Sequence, residues 1–533
     1  MNNKFKIIIF LFLFKFFVHA DFFDLGLSYF LDGKYKLSEL MFKRKYLSNE
    51  ISEKSNDFYL GYCLYLNDKI ESAKEIFKKL SNNLVNDEKL EIYSNLMYAE
   101  CCALLNLYEE AIETYNVVLK SPISDNFEAH LYAFYGKIYC LYKLKKYNET
   151  LITISLFKSF IEKEKLKVID NVLEEQIEYI LADCWYQKGN YKKALENFKN
   201  FINRCKDPYL YLYANFKLFS IYEVQKNYKE AEETLKLLEY KTNSLETNNI
   251  LKYNLARILV KQKKINQAIK IYQQILSNID NKQFRQHIEL ELSFCLYQQK
   301  NYSNAIETLN KINSDSKEIN SNKQYLLGLC YFNNKNYKEA INTFSKFLKT
   351  YPDNIKWIDD VTYWLGISYY KNQQYNKAIQ TLSLLKNKKS SSYYLAACLY
   401  IAKSYKELKE YELAKLLLSS LLENEKKLNN ESINIIFYEL AENYKLSYDF
   451  QTALQYFKKI LEKNANENLI ISTKISIAEV YKHLNDYKES EKILSELIDK
   501  QKKLSENLNL KIKLLFLDTK YNLSKLEEAE NIA

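Results

Sequence analysis

Apolar positions along this 533-residue chain recur at helical spacing, in paired stretches parted by short polar runs. The stretch from Tyr325 to Asn354, YLLGLCYFNNKNYKEAINTFSKFLKTYPDN, is the clearest copy. One amphipathic segment ends at Phe332, the polar residues Asn333 to Asn336 follow, and a second segment begins at Tyr337. The pattern predicts two helices folded back on each other, each with one apolar face. The aromatic-x-x-Ala step of Tyr337 and Ala340 recurs, with substitutions, from Tyr35, Ile70, Tyr108, Tyr147, Tyr191, Tyr228, Ile265, Tyr302, Tyr337, Tyr375, Tyr411, Phe450, Tyr487 and Leu526. Successive starts lie 35 to 39 residues apart, with one outlier of 44 after Tyr147. Such self-similarity marks an array of two-helix units, each burying its apolar face against the next.

Nine residues before the aromatic there is usually a small residue, as at Gly61, Ala99, Ala182, Gly328, Gly366 and Ala441. After it come Ala or Ser at the third step and a large apolar residue at the seventh. Small residues let helix backbones approach within roughly 8–10 Å, and the large ones fill the gap that remains. Gly33 and Gly189 stand two residues before second helices, and Pro122, Pro208 and Pro352 follow second helices, so each Pro is expected where a helix stops.

Leu327-Gly328-x-x-Tyr331, then Ala340-x-x-x-Phe344, then Pro352, resembles the tetratricopeptide repeat (TPR), and the resemblance runs over residues 22–533. It implies an all-α fold, an α-solenoid in which antiparallel helix pairs wind into a right-handed superhelix. Two departures stand out. The period exceeds the family's roughly 34 residues, which predicts longer turns between units. The unit of Tyr147 has Ile138 in the small slot and Thr150 in place of the alanine, and the long gap after it predicts a lengthened helix and a kink near residues 158–177. The last unit ends inside its second helix and is expected to act as a cap.

Composition agrees with helices: 47% of residues are hydrophobic, and only 7 Gly and 3 Pro are present to make turns. The formal charge of +10 points first to nucleic acid. However, Lys4, Lys6 and Lys15 contribute three of those charges, and the only arginines are Arg44, Arg204, Arg257 and Arg285. Without a basic stripe or clustered Arg, nucleic-acid binding is not expected. The first twenty residues, MNNKFKIIIFLFLFKFFVHA, have a basic start, an apolar run over residues 7–14 and Val18-His19-Ala20 before Asp21. That arrangement predicts a signal peptide over residues 1–20, cleaved to leave the repeat array at 21–533. The apolar run is shorter than the roughly 20 residues of a membrane span, so no transmembrane segment is expected in the mature chain.

No catalytic constellation is found, and no enzyme, cofactor or metal site is predicted. Six of the nine cysteines (Cys63, Cys101, Cys140, Cys184, Cys295 and Cys330) share one slot, two residues after the small position. Neighbouring copies of that slot lie about 10 Å apart by helix packing, beyond the roughly 7 Å reach of a disulfide. They are expected to be buried and unpaired. Cys205 and Cys398 fall outside the slot, and the Cys101-Cys102 pair is irregular. The histidines, His19, His130, His287 and His483, are too scattered for a zinc site.

Function is therefore sought on a surface. In TPR proteins, as the resemblance implies, the first helix of each unit lines a concave groove that binds protein segments. Two slots on that helix, three before and four after the small residue, share one face. The earlier slot holds Tyr135, Tyr179, Tyr325 and Tyr363. The later holds Tyr142, Tyr186, Tyr297, Phe332 and Tyr370, and then changes to Lys406, Lys445 and Lys482. Aromatic anchors of this kind dominate many interfaces, at roughly 2 kcal/mol or more each. The expectation is an aromatic groove for a protein segment whose acidic end meets the three lysines. Three settings stay open: an extracytoplasmic scaffold for envelope or outer-membrane complexes, a module for peptidoglycan or other polysaccharide, and a cytoplasmic scaffold whose N-terminus only mimics a signal.

Overall fold

The computed structural model describes residues 30–47, 54–82, 88–123, 127–164, 171–241, 244–423, 428–463, 465–498 and 506–523. The signal peptide, residues 21–29 and the second helix expected from Leu526 lie outside the described residues. Among the described residues there are 26 helices and no strand. The chain divides into two compact units, residues 1–262 and 263–533. Each is an α-solenoid, in which every helix packs on the next and most first helices also touch the first helix of the following repeat.

The turn inside each repeat has one geometry. Among the described residues thirteen have positive φ, and each stands two positions before a second helix. Gly33 and Gly189 do so without steric cost, but eleven others are side-chain-bearing residues, among them Lys145, Lys335, Lys409 and Tyr448. Reciprocal backbone bonds hold them there. The Lys335 N–H donates to Phe332 O at 3.0 Å and the Asn336 N–H to Tyr331 O at 2.9 Å, closing the first helix in a Schellman turn. The residue after the left-handed one then opens the second helix. Asn301 and Asp449 do this with their side chains, which accept from Asn304 and Thr452 N–H.

The packing slots read from the sequence form the core. The third-step Ala73, Ala111 and Ala194 and the seventh-step Phe77, Tyr115 and Phe198 are fully buried in residues 1–262; Ala340, Ala378, Ala453, Phe344, Leu382 and Phe457 are their equals in residues 263–533. A Cβ on Gly328 would overlap the Phe344 ring, and one on Gly366 would overlap Leu382. The absence of a side chain is what allows those helices to meet. In the irregular repeat the small residue is displaced by two: Ile138 is buried, and Gly136 leaves room for the Tyr115 ring of the preceding repeat. Its second helix, Tyr147–Lys163, is lengthened to 17 residues. The expected kink falls partly on residues 165–170, outside the described residues.

Pro208 departs from its expected role. It opens the helix Pro208–Val224, with Asp207 as its cap accepting from the Tyr209 and Leu210 N–H groups. Proline lacks the N–H that a first helical position leaves unpaired, so it starts a helix as readily as it ends one. All nine cysteines are free; eight are buried and Cys205 is partly exposed. Burial pushes the Cys295 and Cys330 thiols up to about 12, well away from reactive thiolates.

Candidate functional site

The later slot of the first helix obeys a rule visible only in three dimensions. Its ring lies against the aromatic that starts the second helix of the same repeat, five residues on. The centroid distances are 5.8 Å for Tyr186–Tyr191, 5.7 Å for Tyr297–Tyr302, 5.6 Å for Phe332–Tyr337 and 5.6 Å for Tyr370–Tyr375. Most of these contacts are edge-on, the geometry that aromatic quadrupoles favour. The recurring aromatic that revealed the period is thus half of a pair across the turn.

Within residues 263–533 the other side of each ring meets the next repeat. Phe332 packs edge-on against Trp364 at 5.0 Å and Tyr370 against Tyr400 at 5.4 Å, and the Tyr297 hydroxyl accepts from Asn333 at 3.2 Å. The earlier slot behaves likewise. Tyr325 stacks on Trp357 at 4.3 Å and Tyr363 on Tyr393 at 4.5 Å. The Tyr325 and Tyr393 hydroxyls both donate to Asp360 Oδ1, at 3.2 and 2.7 Å. Tyr297, Tyr325, Phe332, Tyr363 and Tyr370 all remain half-buried, so each is shared between a neighbour and solvent. These five occupy the two slots on the successive first helices Lys282–Gln298, Lys317–Asn333 and Ile358–Lys371.

In residues 1–262 the candidates divide. Tyr135 is buried and its hydroxyl donates to Gln176; Tyr179 packs on Phe198 and Phe201, both at 6.0 Å. The Tyr142 hydroxyl donates to Asp183 at 2.7 Å, and burial together with that carboxylate raises its pKa. Asp183 also pairs with Lys217 at 2.8 Å, and Lys217 sits 4.5 Å over the Tyr186 ring. A separate hollow of about 620 Å³ lies between Cys205, Tyr209, Tyr211 and Lys241.

The three lysines are joined to the next repeat rather than left open. Lys406 pairs with Glu439 at 2.8 Å, Lys445 with Glu442 at 2.9 Å and Glu479 at 2.8 Å, and Lys482 with Asp518. Burial pushes the Glu479 carboxyl up, but Lys445 and Lys511 outweigh it and hold it below its ordinary 4.5. Burial also pulls Lys445 down, and Glu442 and Glu479 more than restore it. The positive face expected for an acidic ligand is neutralised inside the array.

Sequence reasoning passed over Trp357, Trp364, Tyr393, Tyr400 and Asp360. A signal for the carboxylates was available. Asp183 and Glu479 directly follow the small residues Ala182 and Ala478, and Glu439 lies two before Ala441. Tyr393 precedes its helix, outside any helical slot, and had no such register. Among the described residues no group of His, Cys, Asp and Glu is arranged to hold a metal ion, and no helix is long and apolar enough to cross a membrane.

Residues 251–278 and 360–390 match a family model described as tetratricopeptide repeat, and residues 287–347 match one described as anaphase-promoting complex, cyclosome, subunit 3. A curated relative, the signal recognition particle subunit SRP72 of Dictyostelium discoideum, is 23% identical over 323 residues, covering 49% of this chain and 46% of the relative. The chain thus spans about half the length of that relative. Similar solved structures include the APC/C hetero-tetramer Cut9-Hcn1, at 15% identity and TM-score 0.32 over 95% of this chain and 92% of that one. Another is a tetratricopeptide repeat protein from Parabacteroides merdae, at 17% identity and TM-score 0.36 over 49% and 95%.

Proposed function

We propose that this chain, a member of the tetratricopeptide repeat family, is a non-enzymatic scaffold that holds a segment of another protein along its first-helix face. The observation that carries this reading is the half-buried aromatic row from Tyr297 to Tyr370. Rings fixed on rigid helices cost little conformational entropy to immobilise, so their remaining exposed area is available to a partner. The relative and one matching family model are described as subunits of larger particles, which supports a role as a subunit of an assembly.

Two settings follow from different observations. The basic start, apolar run and small-residue break of residues 1–20 support export and work among envelope complexes. Nine free cysteines and the signal recognition particle relative support the cytoplasm. Fractionation together with sequencing of the mature N-terminus decides between them.

The partner reading is tested by replacing Phe332 and Tyr370 together with Ala, then crosslinking in cells and identifying captured proteins by mass spectrometry. Specific partners recovered with the parent chain are expected to disappear with the double variant while its thermal melt stays cooperative. Undiminished capture by a folded double variant defeats the groove reading. Retention by purified cell wall, with no protein partner, replaces it with the polysaccharide one.

A further inference from the structure

Beside the aromatic row Asp360, in the first turn of the helix Ile358–Lys371, makes no ion pair among the described residues. Asp360 Oδ1 accepts hydroxyls from two different repeats, Tyr325 and Tyr393, and each of those rings is itself stacked, on Trp357 and Tyr363. Burial first, and then the Asp360 charge, raises the pKa of both phenols, so they stay donors. Among the described residues Asp360 has no ion pair, and Oδ2 has no hydrogen-bond partner. Three other carboxylates on first helices of this unit contrast with it. Asp359 is bound by Lys388 at 2.9 Å, Glu439 by Lys403 and Lys406, and Glu479 by Lys445 and Lys511. Lys356, four residues before Asp360, lies 4.6 Å over the Trp357 ring and makes no ion pair with it. A half-buried carboxylate held by two stacked phenols attracts a cation by charge, and a ring face left open beside it adds a cation–π contact.

We propose that Asp360, Tyr325, Trp357, Tyr363 and Tyr393 form the acceptor for an Arg or Lys side chain of the partner segment, and so select a basic partner. This rests on the groove reading above and reverses the acidic ligand that the lysine slots suggested. The flat guanidinium of Arg suits both demands, pairing with Oδ2 while stacking on a ring. The chain's formal charge of +10 repels basic ligands at long range, so selection of a basic segment requires a local site.

A library of random peptides displayed on phage, panned against the full chain, tests this. Selected peptides are expected to carry Arg or Lys beside apolar residues. Their affinity is expected to fall about tenfold or more in Asp360→Asn. Asp360→Glu should keep most of it, and Asp359→Asn should leave it unchanged. Asn keeps an oxygen for the two phenols, so the variant should fold. Changing the peptide's Arg to Gln adds a cycle independent of folding: the loss should be large with the parent chain and absent with Asp360→Asn. Neutral or acidic peptides, or equal binding to Asp360→Asn, overturn the basic-partner proposal and leave the groove standing. Peptides that bind the Phe332/Tyr370 double variant as well as the parent, or none at all, overturn the groove and this proposal with it.

Discussion

Within residues 263–533 one slot is built in two chemistries. Four residues after the small position, Tyr297, Phe332 and Tyr370 reach the next repeat with a ring, whereas Lys406, Lys445 and Lys482 reach it with an ammonium. The slot is therefore a joint between repeats before it is a ligand contact. Ring contacts are largely indifferent to salt and to pH near neutrality. Ion pairs depend on both, and they consume the charge that a ligand would have read. The aromatic half keeps exposed ring area and, at Asp360, a carboxylate without an ion pair, which is why the proposed recognition is assigned to it.

The largest expected effect is on the ring side. Trp364→Ala removes a side chain packed against both Phe332 and Tyr363 and should cost about 3 kcal/mol, read as a lowered melting temperature that added salt does not change. Next, Lys445→Met leaves Glu442 and Glu479 facing each other without that cation. It should cost about 2 kcal/mol at low salt and less at high salt, a dependence that Trp364→Ala lacks. If both variants respond equally to salt, the two joints do not differ as described.

Acid should separate the halves further. The folded Glu479 is held below its ordinary 4.5, so its contribution is present above that value and is lost as pH falls through the folded one. Lys445 is raised, so its contribution is present at neutral pH and is lost only in alkali, above 10.5. Hydrogen exchange is expected to show protection falling over residues 430–498 between about pH 5 and pH 3, ahead of residues 317–371. The smallest effect should be common to both. Lys335→Gly and Lys409→Gly relieve left-handed strain at φ 61° and 64°, and each should raise stability by about 0.5–1 kcal/mol whatever the salt. A gain in one half only would show that its turn is held by more than the shared Schellman bonds.

Much of the architecture could be read from single positions. Ala340, Phe344 and Gly328 announced a close helix pair because packing asks for small against large at fixed helical offsets, and those offsets are local. The left-handed turn was only half visible. Gly33 and Gly189 displayed it, but Lys335 and Tyr448 adopt the same φ because cooperative backbone bonds outweigh a steric cost of about 1–2 kcal/mol. The candidate site was legible as a row of rings and opaque as a set of partners. Tyr142 meets Asp183 41 residues away, Lys406 meets Glu439 33 away and Tyr393 meets Asp360 33 away.

By itself, then, the sequence determined the period, the helix pairs and the buried slots, since each follows from a 3.6-residue turn acting over a few neighbours. Only the tertiary structure decided which ring is shared with solvent, which lysine is already paired and which carboxylate is left without a cation. The reason is physical: charge pairing and ring stacking depend on the distance between successive repeats, and loops of varying length set that distance without a periodic signature.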